Sequence, residues 1–156
     1  MKFYLSGGME YAKGHGEKWR DIFTKKLLSI GHEAENPCDE AVIYDLLGIS
    51  IREFTALKST DINKYKSYMK KIIACDIESI DQSDATILLY DESVRKGAGS
   101  ISEAFYTFLS KKPLYIVTDE NINNIPGWLI GLSDSIFPSF NTLLRFLSSK
   151  EIYKEG

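Results

Sequence analysis

Ala85-Thr86-Ile87-Leu88-Leu89-Tyr90 is an almost unbroken apolar run, opened by Asp84 and closed by Asp91. A strand with one wet face alternates apolar and polar residues, so a continuous run belongs to a strand covered on both faces. The flanks carry helical patterns. Upstream, residues 61–80 place Ile62, Tyr65, Met69, Ile72, Ile73 and Ile80 on a buried stripe. Downstream, residues 100–110 turn Ile101, Ala104, Phe105, Phe108 and Leu109 inward, and a second buried strand follows at residues 113–118, PLYIVT.

The same alternation continues toward both ends. Residues 2–6 form a short strand ending at Gly7-Gly8. Residues 17–30 repeat Trp19, Ile22, Phe23, Leu27 and Ile30 at helical spacing, with Gly31 as C-cap. Residues 32–36 are extended up to Pro37, and residues 39–47 make a helical turn or short helix. Residues 48–60 read as a loop. A short strand at 135–137 and a closing helix at 140–149 complete the chain. Strands alternating with helices predict an α/β domain, doubly wound and Rossmann- or flavodoxin-like, with a mainly parallel five-stranded sheet. Ligands in such sheets bind beyond the carboxyl ends of the strands. That rule gathers residues 6–9, 91–102 and the loop after Thr118 around one crevice.

A length of 156 residues predicts one domain over 1–156, and a hydrophobic fraction of 44% is enough for a core. A net charge of −3 argues against an obligatory nucleic-acid surface. No apolar run approaches the roughly 20 residues of a membrane span, and the opening MKFYLSGGMEY is too short and polar for a secretory signal. Cys38 and Cys75 lie far apart, which predicts neither a disulfide framework nor a zinc site, and a cytoplasmic setting. His15 and His32 do not build a usual zinc site by themselves. No metal is expected.

Two carboxylates stand out. Asp76 shares a helix face with Ile72, Ile73 and Ile80, where a carboxylate is uncommon unless paired or functional. Glu103 closes Ser100-Ile101-Ser102-Glu103, which fits a capping box with Ser100 as N-cap. It also falls in the first turn of a helix opening at the ligand edge of the sheet, so a cap and a reactive group compete for one side chain. Gly97-Ala98-Gly99 lets backbone approach a ligand at that helix N-terminus. It completes neither a dinucleotide fingerprint nor a Walker A motif, which predicts a small-molecule site without a cofactor. Asp84 reads as a structural cap, whereas Asp91 is within reach of the crevice. Lys70, Lys71, Arg95 and Lys96 read as solvated charges.

Taken in order, three segments resemble the nucleoside 2-deoxyribosyltransferase family and its relatives, the nucleoside 5'-monophosphate N-glycosidases. They are Phe3-Tyr4-Leu5-Ser6-Gly7-Gly8-Met9; the stretch from Asp76 to Asp84, DIESIDQSD; and Gly99-Ser100-Ile101-Ser102-Glu103-Ala104 followed by Lys112-Pro113. A weaker echo is Gly127-Trp128 with Ser133-Asp134. The resemblance implies Glu103 as nucleophile at the anomeric carbon, Asp76 as proton donor and acceptor for the base, and Tyr4 as a hydrogen-bonding partner orienting Glu103. It implies a substrate site lined by Ser6, Gly7, Gly8, Met9, Asp91, Gly97, Gly99, Ser100 and Ser102. Ser100 and Ser102 would meet the 5' end of the sugar. The implied partners are a nucleoside or nucleotide and a free base, with a homo-oligomer whose sites lie near subunit interfaces and take in C-terminal residues such as Tyr153. The chain departs from the pattern at Gly97, where some transferases carry an acidic base contact, and at Met9-Glu10, where relatives acting on monophosphates carry an arginine. Base exchange, hydrolysis and nucleotide binding without catalysis all stay open on these residues.

Overall fold

The computed structural model describes residues 1–37 and 39–152. Five strands, β1 (Lys2–Gly7), β2 (Glu33–Glu35), β3 (Ala85–Leu89), β4 (Leu114–Val117) and β5 (Ser135–Phe137), form one sheet in the order β2-β1-β3-β4-β5. Every neighbouring pair is parallel. This is the doubly wound, flavodoxin-like order, in which the direction of winding reverses between β1 and β3. The helices are α1 (Glu17–Ser29), α2 (Glu40–Leu47), α3 (Ile51–Thr60), α4 (Ile62–Asp81), α5 (Glu92–Lys96), α6 (Gly99–Leu109), α7 (Gly127–Leu132) and α8 (Phe140–Ile152).

Residue alternation along the strands sorts two cores. Phe3, Leu5, Ile87, Tyr115 and Val117 pack against Phe23 and Leu27 of α1 and Leu143 and Leu147 of α8. Leu88, Leu114 and Ile116 face the other way, against Val94, Ala104, Leu129 and Leu132 of α5 to α7. Burying each such side chain contributes roughly 1.5–3 kcal/mol. A third cluster, Ile43, Leu47 and Phe54, joins α2 and α3 to the half-buried Tyr65, Met69 and Ile72 of α4. Residues 48–60, expected as a loop, are mostly α3. Ser50 accepts from the Glu53 amide while the Glu53 side chain accepts from the Ser50 amide, a complete capping box. Phe54 then stacks on Tyr65 with ring centroids 4.7 Å apart.

Polar pins set the strand starts. Asp84 Oδ2 accepts the Lys2 amide at 2.7 Å, and Asp134 Oδ2 accepts the Leu114 amide at 2.8 Å. Asp84 thus has the structural role expected of it. Lys112 Nζ donates to the carbonyls of Ile80, Asp81 and Ser83 at 2.8, 2.5 and 2.7 Å, closing the C-terminus of α4. Two helix faces differ from the periodicity reading. On α4, Ile62 and Ile73 are exposed, and on α6 the exposed residues include Phe105, Phe108 and Leu109, while Ala104 and Thr107 face inward.

Candidate active site

Glu103 lies one turn into α6, which starts where the chain returns from β3. Tyr4 and Ser6 alternate with Phe3 and Leu5 along β1, so their side chains share the α6 face of the sheet. Tyr4 Oη donates to Glu103 Oε1 at 3.1 Å, and Ser6 Oγ donates to Glu103 Oε2 at 2.5 Å. Each carboxylate oxygen therefore has its own hydroxyl donor. The capping reading of Glu103 does not hold. Helix α6 begins at Gly99, with Ala98 as an N-cap that makes no side-chain bond. Ser100 is thereby inside the helix, two positions past the N-cap, and Glu103 reaches across to β1.

Asp76, on α4, completes the group. Burial and the charge of Glu103 push its carboxyl up to about 7, against the opposing pull of the Tyr4 hydroxyl and the Arg20 charge. Glu103 is also raised by burial, but its bonds from Ser6 and Tyr4 and the Arg20 charge draw it back. Tyr4 stays protonated well above the ordinary tyrosine range, because of burial and then the two carboxylates. Glu103, with a hydroxyl donor on each oxygen, is the better bonded as a carboxylate, and Asp76 is the acid pushed up to about 7. Two interacting acids in unlike surroundings are candidates for separate acid and base roles.

The structure distributes the other expected residues unevenly. Gly7 and Gly8 end β1 in tight quarters: a Cβ at Gly7 would meet the Trp19 ring at 2.9 Å, and one at Gly8 would meet the Ser93 hydroxyl at 1.9 Å. Their lack of side chain is required by packing. Met9 packs on the third apolar cluster. The Asp91 carboxylate accepts from the Ser93 and Val94 amides and the Ser93 hydroxyl, so it serves as the N-cap of α5. Gly97 lies against Tyr11, Gly99 borders open space, Ser100 is buried, and Ser102 is exposed and bonded to the Ala98 carbonyl. Tyr153 lies outside the described residues. A cleft of about 30 Å³ opens beside Asp76, lined by Asn36, Ile43, Ile72 and Cys75 among others. A larger cavity of about 400 Å³, walled by His15, Glu17, Glu40 and Arg52, includes neither carboxylate.

Arg20 is the residue that sequence reading passed over. It is 1% exposed. Among the described residues its guanidinium donates only to backbone carbonyls, and it lies 4.6 Å over the Trp19 ring. A lone arginine in an amphipathic helix reads as a surface charge; its one signal was a place among Trp19 and Phe23 on the apolar side. Among the described residues, no group of three or more His, Cys, Asp or Glu side chains is arranged to hold a metal ion. No helix among them is long and apolar enough to cross a membrane.

Fold and site together define a doubly wound α/β protein with a paired-carboxylate centre beside its switch point. The same architecture occurs in a 2-deoxyribosyltransferase from Bacillus psychrosaccharolyticus, with a TM-score of 0.64 and 14% identity over 92% of this chain and 90% of that one. It occurs also in the CMP N-glycosidase of Clostridium botulinum, with a TM-score of 0.54 and 18% identity over 96% and 99%. No protein-family model matches the sequence, and no curated protein is significantly similar to it.

Proposed function

We propose that the protein exchanges bases on a nucleoside, as a nucleoside 2-deoxyribosyltransferase, with Glu103 as nucleophile and Asp76 as proton carrier. The observation that carries this reading is the Glu103 carboxylate, held by Tyr4 and Ser6 from the strand beside it and set against an Asp76 that keeps its proton near neutrality. The fold shared with a transferase and an N-glycosidase, and the motif order along the chain, support it.

The chemistry needs these two groups and no metal. Breaking an N-glycosidic bond builds positive charge on the sugar ring. An ionised Glu103 stabilises that charge and bonds the anomeric carbon, while the electron pair of the broken C–N bond leaves with the base. The base is a poor leaving group as an anion, so Asp76 gives it a proton. In the second half, a nitrogen of the incoming base attacks the same carbon. The ester bond to Glu103 breaks, its electron pair returns to the carboxylate, and the incoming base passes its proton to Asp76. Two displacements give net retention. Water in place of the second base makes the same site a hydrolase. At the other end of the sugar, the α6 N-terminus lacks a side-chain cap, so its first amides and Ser102 are suited to the 5' oxygen.

The test is incubation of a deoxynucleoside with a second free base, followed by separation of products. A new nucleoside that is lost in Glu103→Ala is the expected result. Free sugar and base alone would replace transfer with hydrolysis. Ligand binding without turnover, unchanged in Glu103→Gln, would replace both with a binding module. The same reading includes a homo-oligomer with its sites close to subunit interfaces, supported by the apolar residues exposed on α4 and α6.

A further inference from the structure

β1 is longer than the strand beside it. It pairs with β2 only over Lys2, Phe3 and Tyr4, but with β3 from Phe3 to Gly7. The carbonyl of Met1 accepts from Glu33 at the start of β2, and that of Lys2 accepts from Asp84 at the start of β3. By the alternation of a strand, the carbonyls of Leu5 and Gly7 therefore point to the β2 side, beyond the place where β2 has ended. Arg20 takes the place of the missing strand. Its Nε donates to the Leu5 carbonyl at 3.1 Å, and its Nη2 donates to the Gly7 carbonyl at 2.8 Å. Its Nη1 donates to the Gly16 carbonyl at 3.1 Å, tying in the loop before α1.

The two bonded carbonyls bracket Ser6, the residue that donates to Glu103. The edge Arg20 closes is thus the edge from which the nucleophile is held. Backbone carbonyls satisfy its hydrogen bonds but not its charge, and no carboxylate among the described residues is within ion-pair distance of it. A buried charge without a counter-ion is costly. The titratable and charged groups facing one another here are Arg20 from α1, Tyr4 from β1, Asp76 from α4 and Glu103 from α6. Tyr4 stays neutral, and the carboxylate pair is the acidic group whose ionisation the Arg20 charge favours.

We infer that Arg20 is a positioning residue of this site, whose buried charge keeps one negative charge on the Asp76–Glu103 pair while its fork fixes Ser6 under Glu103. This rests on the proposed glycosyl chemistry for its consequence, but not for its geometry. The electrostatic influence of Arg20 on both carboxylates runs in the required direction.

Arg20→Gln keeps amide donors for the edge and removes the charge, whereas Arg20→Lys keeps the charge and loses the fork. The pH profile of base exchange is expected to move upward on both limbs by about one pH unit in Arg20→Gln. Arg20→Lys should hold both limbs in place with a fall in kcat of roughly tenfold or more. Carboxyl-carbon NMR titration of Asp76 and Glu103 in the parent and both variants reads the same shift without turnover. Carboxylates that titrate identically in parent and Arg20→Gln would overturn the inference, even if exchange is observed. A parent with no exchange or hydrolysis, but with the NMR shift present, would overturn the proposed function and leave Arg20 in this role. If Arg20→Gln does not fold, the Arg20→Lys limbs decide: displaced limbs despite the retained charge count against it.

Discussion

The proposed base exchange needs Asp76 and Glu103 in opposite ionisation states in one small volume. Under that proposal Glu103 attacks only as a carboxylate and Asp76 donates only as an acid. With Asp76 pushed up to about 7, base exchange should decline as pH rises above about 7, and Asp76→Asn should lower it by roughly a hundredfold or more while removing that limb. Stability follows by linkage. Between the ordinary aspartate value and about 7 the folded state binds more protons than the unfolded chain. The contribution of Asp76 is therefore full below the unfolded value and lost as pH rises through the folded one. Asp76→Asn should raise the melting temperature at pH 8 and change it little at pH 4, which differential scanning calorimetry at the two values reads directly. An equal effect at both pH values would mean that Asp76 does not carry the perturbed proton. At this scale Asp76 was legible in the sequence, because an acid on an apolar stripe breaks a pattern, whereas Glu103 fitted a capping box and was marked out only by the resemblance of its segment and by its place at the ligand edge of the sheet. Arg20 was not, because what it serves is an unpaired strand edge, and no local pattern records where a neighbouring strand stops.

Two segments of the chain read Ser-Ile-x-Glu, and they behave differently. Ser50-Ile51-Arg52-Glu53 opens α3 as a capping box. Ser100-Ile101-Ser102-Glu103 starts inside α6, because Gly99 already belongs to the helix. A shift of the helix start relative to the motif turns a capping glutamate into one that crosses to β1. Ser50→Ala should therefore cost about 1 kcal/mol of stability, and Ser100→Ala, which removes no cap, less than about 0.5 kcal/mol, the low end of what a cap contributes, as measured by urea unfolding. Equal losses would restore the capping role to the Ser100 segment. The same lesson applies to α3, whose fragment 48–60 lacks a sustained apolar stripe. Its helix is held by a cap at one end and by Phe54 stacked on Tyr65 of another element, a tertiary contact that periodicity does not encode.

At the scale of the whole molecule, the parallel sheet covered on both faces follows from runs such as Ala85–Leu89, and these were legible because burial on both faces leaves no polar alternation. What the periodicity misplaced was the outer face of α4 and α6. Ile73 is 50% exposed and Trp128 on α7 is 78% exposed, with Ile77, Phe105, Phe108 and Leu109 also at the surface. The Phe105 and Trp128 rings lie 6.3 Å apart, and Tyr106 bonds Asp81 across the α4–α6 seam, so these residues belong to neighbouring elements. Periodicity sees that a residue is apolar, not whether its own chain or another covers it. The charges on α4 favour a second copy of this chain as the cover. Along its outer face, Lys66 and Lys70 precede Ile73 and Ile77, and Glu78 and Asp81 follow, all exposed. A second α4 laid antiparallel about a two-fold axis near Ile73 would set the lysines of each copy against the acids of the other over a shared apolar centre. Asp76 lies about a quarter turn round the same helix from the Ile73–Ile77 face, which would bring the interface close to the site. The parent should sediment as a dimer. Lys66→Glu with Lys70→Glu should shift it to monomer, and adding Glu78→Lys with Asp81→Lys should return it to dimer. A parent that sediments as a monomer at every concentration, or a dimer indifferent to both reversals, would remove α4 as the subunit interface.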